Sequence, residues 1–189
     1  VTVSLRLSSG GVPVETPEAA AALNPRFTLA ALSPHPVDGI ASWRSLLLTG
    51  EQTLAQLPPG GPGTPATEIL VDVKQPGAEW NGTLAGADGV FTYLYANALP
   101  AGFDETETLR AGVWLLGNGT ADGTSTYDFR PAGGAPAPRD TVREENCLRC
   151  HAVVASPWGA AGVKICLTCH TWQNADPDTT LDFLTSGQV

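Results

Sequence analysis

The sequence predicts a mainly β protein: an antiparallel sandwich or partly open barrel, followed by a small, loop-rich segment. Three observations carry this. The chain is rich in Gly (21) and Pro (16) with only 15% charged residues, which suits short strands joined by tight turns better than a helical bundle. Short apolar segments alternate along the first two thirds with turn residues between them. Composition then changes near Arg130, after which a cysteine- and histidine-bearing stretch takes over.

The strands follow in order. Val1, Val3, Leu5 and Leu7 share one face of an extended segment, the alternation of a half-buried strand. Ala19-Ala20-Ala21-Ala22-Leu23 predicts a single helical turn. Phe27, Leu29 and Ala31 alternate, as does part of Ile69–Val73. Pro58–Gly63 reads as a surface loop between strands. Val90–Tyr95 is dense in β-branched and aromatic residues, and Val113–Leu116 and Tyr127–Phe129 supply two more strands. Asn81-Gly82 is placed for a tight hairpin between Trp80 and Leu84, and Asn118-Gly119 is a second turn dipeptide. About seven strands at this spacing make a sandwich or barrel over residues 1–130. Residues 131–138, Pro-Ala-Gly-Gly-Ala-Pro-Ala-Pro, read as a linker, and 139–189 form the second unit.

That unit contains two copies of Cys-x-x-Cys-His: Cys147-Leu148-Arg149-Cys150-His151 and Cys166-Leu167-Thr168-Cys169-His170. They use all four cysteines and two of the three histidines. Each has the form of a c-type haem attachment site, in which two sulfurs hold the macrocycle and the next residue supplies the proximal imidazole. Two intervening residues let both sulfurs meet vinyl groups of one porphyrin. Fifteen residues separate Cys150 from Cys166, so the cysteines alone also fit a zinc ribbon. Four thiolates leave His151 and His170 without a purpose, and so do structural disulfides. A thioredoxin-like site needs one Cys-x-x-Cys beside a βαβ pattern, which this chain lacks. Two covalent haem c groups are therefore expected, held by Cys147, Cys150, Cys166 and Cys169, with His151 and His170 on the irons. The segment has few apolar residues, so the haems would supply its core, and it should not fold without them.

Two irons need two distal ligands to be six-coordinate. The chain has no methionine, which excludes His/Met ligation in cis, and only His35 is spare. His35 lies in Ser33-Pro34-His35-Pro36, where prolines hold the imidazole in a fixed direction, and is the candidate third metal ligand, for its own chain or a neighbouring copy. Chaining copies does not change the count of one spare histidine per two haems. Lys164, the Val1 amine or a partner's histidine are the remaining candidates for the other iron.

Haem attachment of this kind takes place outside the cytoplasm, so the chain is expected to be exported, to the cell surface or beyond it, with the periplasm as the alternative. Val1 opens a strand-like stretch rather than a leader, which reads as a mature chain. No run of eighteen apolar residues is present to span a membrane. The net charge of −9 argues against nucleic acid as a partner. The Asn81 and Asn118 sequons read as ordinary turns, the acidic runs at Asp104–Glu107 and Asp176–Asp178 as solvated loops, and no hydrolase or phosphate-loop motif is present.

The chain resembles the amino-terminal part of the outer-surface multihaem cytochromes of the OmcA/MtrC type. Asn24–Ala30, Gly89–Tyr93, Leu109–Val113 and Tyr127–Gly134 carry the likeness, with the first Cys-x-x-Cys-His following and Asn174-Ala175-Asp176 after the second. The resemblance implies an immunoglobulin-like antiparallel β-sandwich or split barrel leading into a dihaem segment used for extracellular electron transfer. Two haems make only a short relay, so the expected partners are other copies of the chain or other multihaem cytochromes, and an exposed edge strand or the extended N-terminal segment docking on the next copy would build a cytochrome filament. The alternative is a haem enzyme that binds or reduces a small ligand at an open iron. This chain has motifs for two haems where that family has many more. Where the family places a histidine followed by glycine, it reads Ala155-Ser156-Pro157-Trp158-Gly159.

Overall fold

The computed structural model describes residues 1–35, 38–47, 72–73, 82–96, 98–115, 123–140, 143–149, 155–156, 159–160, 162–169 and 171. The expectation of a mainly β chain holds. Strands β1 (Thr2–Arg6), β8 (Val90–Leu94) and β7 (Thr83–Ala87) form one antiparallel sheet in the order β1-β8-β7. A larger antiparallel sheet runs β10 (Gly123–Phe129), β9 (Thr108–Leu115), β4 (Pro25–Pro34), β5 (Ala41–Ser45), with β6 (Asp72–Val73) also pairing on β4. Short strands β2 (Ser8–Ser9) and β3 (Val12–Pro13) make a small ribbon.

Side-chain alternation places the two sheets face to face. Phe27, Leu29, Ala31, Leu109 and Ala111 from the larger sheet meet Leu84, Phe91 and Tyr93 from the smaller one. Phe27 and Tyr93 stack at 3.6 Å between ring centroids, and Tyr95 meets both rings edge-on. The Tyr95 hydroxyl donates to the Thr28 carbonyl at 2.8 Å, so a buried polar tip is satisfied across the two sheets.

The segments read as strands at Val1–Leu7, Phe27–Ala31, Val90–Tyr95, Val113–Leu116 and Tyr127–Phe129 coincide with β1, β4, β8, β9 and β10. The polyalanine turn is helix α1 (Pro17–Ala22), where Thr16 Oγ1 accepts from Ala19 N–H and Pro17 occupies the first turn. Two tight hairpins within the described residues have both turn residues at positive φ: Gly10-Gly11 (58° and 83°) between β2 and β3, and Asp88-Gly89 (52° and 78°) between β7 and β8. Trp80 and Asn81, Asn118-Gly119, Pro58–Gly63 and Ile69–Val71 fall outside the described residues. Two features escaped the periodicity. β5 has no clean alternation, and β4 and β9 are longer than their apolar cores because both of their faces are covered.

The second face of the larger sheet carries Thr28, Ala30, Arg110, Gly112 and Asp128, and the C-terminal part of the chain lies over it. Residues 131–140 run along this face. Ala132 N–H donates to the Glu105 carbonyl, Ala137 N–H to Thr108 Oγ1 at 2.9 Å, and the Trp43 indole to the Arg139 carbonyl at 3.2 Å. Helices α2 (Glu144–Cys147) and α3 (Val163–Cys169) follow, with a two-residue ribbon β11 (Ala155–Ser156) and β12 (Gly159–Ala160) between them. Among the described residues no helix is long and apolar enough to cross a membrane.

Candidate haem-attachment segment

The first motif begins at the end of α2 and the second occupies the end of α3. Cys147 closes α2, while Cys166 and Cys169 stand one turn apart on α3. Cys150, His151 and His170 lie outside the described residues.

α3 is seated by its own side chains. Val163, Ile165 and Thr168 are buried, and Thr171, one turn further, is buried as well. Gly112 on β9 makes the room: a Cβ there would stand 2.5 Å from Thr28 Oγ1 and 3.2 Å from Ile165 Cγ1. The hydroxyls of Thr28 and Thr168 are 2.7 Å apart, and Thr168 donates to the Ile165 carbonyl at 2.6 Å. Gly162 N–H, just before the helix, donates to Thr124 Oγ1 on β10 at 3.0 Å. The helix therefore crosses the sheet from β10 over β9 and β4 to β5.

An ionic network ties the same elements together. The Arg110 guanidinium is fully buried; Nε and Nη2 donate to the two carboxylate oxygens of Asp128 at 2.7 and 2.9 Å. Nη2 also donates to Asp140 Oδ1 at 2.8 Å, and the guanidinium lies 4.2 Å from the centre of the Trp43 ring. Asp140 Oδ2 is 2.9 Å from Lys164 Nζ on α3. One carboxylate thus joins a strand to the helix of the second motif. Burial by itself would raise the Asp140 carboxyl, but hydrogen bonds from Lys164 and Arg110 and their charges hold it below its ordinary value. The Arg110 guanidinium is opposed by burial and held above its ordinary value by both aspartates. Lys164, a sequence candidate for an iron ligand, has its ammonium taken up by Asp140.

Glu144, at the start of α2, lies near the start of α3. Its Oε2 is 3.4 Å from where a Gly162 Cβ would stand, and its charge acts on the Cys166 thiol. Cys166 is half-buried and not in a disulfide, with Sγ 3.8 Å from the Gly162 carbonyl. Burial pushes its thiol pKa up and Glu144 adds to that, against a backbone hydrogen bond that lowers it. Cys166 stands one turn from Cys169 on α3, with His170 next in the sequence, and these residue types at this spacing fit covalent haem.

His35 lies one residue beyond β4. Its backbone N–H donates to the Ile40 carbonyl and its carbonyl accepts from Gly39, closing the turn toward β5. The half-buried imidazole has Nδ1 3.4 Å from Asp38 Oδ1, the kind of carboxylate contact that orients a ligating imidazole. Ala41, paired with Pro34, accepts a short hydrogen bond of 2.6 Å from Arg139, so the His35 turn lies beside the strand-like approach to α2.

Sequence reasoning passed over Thr28, Arg110, Gly112, Asp128 and Asp140. One signal was available: a glycine inside a strand, such as Gly112, marks close approach of another element.

Among solved structures, the chain is similar to the crystal structure of the outer membrane decaheme cytochrome OmcA, with a TM-score of 0.65 and 19% identity. The match covers 96% of this chain and 29% of that one, so the chain spans under a third of its neighbour's length. At this identity the likeness is one of fold. No protein-family model and no curated protein matches the chain.

Proposed function

We propose that this chain is a dihaem c-type cytochrome that carries electrons at the cell exterior. The observation that carries the reading is the pair of Cys-x-x-Cys-His motifs, the first beginning at the end of α2 and the second at the end of α3. The fold likeness to part of an outer membrane decaheme cytochrome supports the multihaem and cell-surface parts of it.

Cys147, Cys150, Cys166 and Cys169 would hold the two haems, with His151 and His170 as proximal ligands and His35 as the candidate distal one. Haem, when bound, supplies a one-electron iron couple. The chain's own residues fix where that couple sits. Arg110 and Asp140 clamp α3, and the sheet beneath excludes water from one side of that helix. Two haems make a short relay, so conduction over distance needs chaining with other copies or with other multihaem cytochromes.

The test is production of the chain in cells that mature c-type cytochromes. A pyridine haemochrome spectrum and an intact mass carrying two haems would support the reading; a colourless, zinc-containing protein would sink it. The ligand count favours a second reading, a haem enzyme with one open iron. Carbon monoxide addition to the reduced protein separates the two: an unchanged spectrum leaves the enzyme without a site. Electron microscopy under native conditions tests chaining, and monodisperse particles alone would count against it.

A further inference from the structure

We propose that the outer face of the larger sheet is a preformed seat for the second haem-attachment helix, and that Gly112, Thr28 and Asp140 are positioning residues for that haem. The proposal rests on the dihaem reading above.

The two motif helices differ sharply in what holds them. On α2 the described side chains of Glu144, Glu145 and Asn146 are exposed, and Leu148, inside the first motif, is 46% exposed. On α3, Ile165 is 3% and Thr168 1% exposed, and both are buried by protein alone. Three independent contacts make the seat. Gly112 leaves a gap that Ile165 enters, with Thr28 Oγ1 at its wall. The paired hydroxyls of Thr28 and Thr168 satisfy each other where water is excluded. Asp140, itself anchored on buried Arg110, takes Lys164 at the helix's exposed side.

These contacts use Ile165, Thr168 and Lys164, and none uses Cys166 or Cys169. The helix can be fixed on the β domain before haem arrives, with its two cysteines already one turn apart. Among the described residues the first motif has no such seat, and on this proposal its ordering falls to haem. The sites then follow different rules: the second is assembled by the fold and filled independently of the first, whereas the first is assembled by its cofactor.

The test uses the full chain, matured in cells, in four forms. Haem content is read from intact mass and haem-bearing peptides, and helix order from hydrogen exchange of residues 163–169. With Cys166→Ser and Cys169→Ser together, one haem is expected and the amides of α3 stay protected as in the parent. With Cys147→Ser and Cys150→Ser, the second haem is still attached. Gly112→Ala is expected to lose most of the second haem and keep the first. Lys164→Ala, which releases the exposed side of the helix from Asp140 without adding bulk, is expected to lower the second haem in the same direction and to keep the first. Collapse of α3 protection when only the second haem is removed would overturn the proposal. So would a Gly112→Ala chain that keeps both haems with unchanged potentials, or one that loses both equally. A colourless parent would instead overturn the haem reading itself, while hydrogen exchange on α3 would still report whether the seat forms.

Discussion

Replacing Arg110 by Met tests the junction between the larger sheet and the helix of the second Cys-x-x-Cys-His motif. Met keeps the apolar stem against Trp43 and removes the guanidinium. Asp128, only 16% exposed, loses both of its hydrogen bonds from Arg110, whereas Asp140 keeps Lys164. Breaking a buried ion pair by deleting one partner costs about 3–5 kcal/mol, because a charge is left without compensation. Partial exposure of both aspartates lets water return, so the lower end, about 3 kcal/mol, applies; loss of the stack on Trp43 adds about 1 kcal/mol. Equilibrium urea unfolding followed by far-UV circular dichroism measures it. A second variant, Arg110→Met with Asp128→Leu, separates the penalty of an orphaned carboxylate from the worth of the pair and should recover most of the loss. A cost under about 1 kcal/mol for Arg110→Met alone would refute the reasoning, since a surface ion pair has that value.

Asp140→Asn should flatten the acid limb of stability. Its folded pKa lies below the ordinary 3.8, so its contribution is present above that value and is lost as pH falls through the folded one; an unchanged urea midpoint profile from pH 5 to pH 2 would contradict it. Gly89→Ala places a side chain at φ 78° with its Cβ 2.9 Å from Pro13 Cβ, and should cost at least about 1–2 kcal/mol in the same assay. Tyr95→Phe leaves the buried Thr28 carbonyl without its hydroxyl donor, for a loss of about 1–2 kcal/mol seen as a lower melting temperature. His35→Ala should convert one of two haems from low-spin to high-spin if His35 is an axial ligand; electron paramagnetic resonance with unchanged low-spin signals would remove His35 from the ligand set.

The paired Cys-x-x-Cys-His motifs and the strand set were legible because both are local patterns. Two sulfurs and an imidazole must sit within five residues to address one macrocycle, and a half-buried strand repeats every second residue. Val1–Leu7 and Val90–Tyr95 obey that period because one of their faces meets the core, whereas at Tyr127–Phe129 only Phe129 packs against it and Tyr127 is exposed. β4 escapes it at Thr28 and Ala30, which are buried on the face away from the core because α3 and residues 131–140 lie over them.

What the sequence determined by itself was therefore local: two Cys-x-x-Cys-His motifs, one further histidine and no methionine, and a body that is β. Tertiary structure decided how these parts are joined. Arg110, Asp128, Asp140 and Lys164 belong to two strands, an extended stretch and a helix, and Thr28 and Thr168 are 140 residues apart. No short-range period relates such residues. Burial of a guanidinium is tolerable only once both carboxylates are in place, so that junction exists in the folded chain alone, and it gives the second motif a protein seat that its spacing does not reveal.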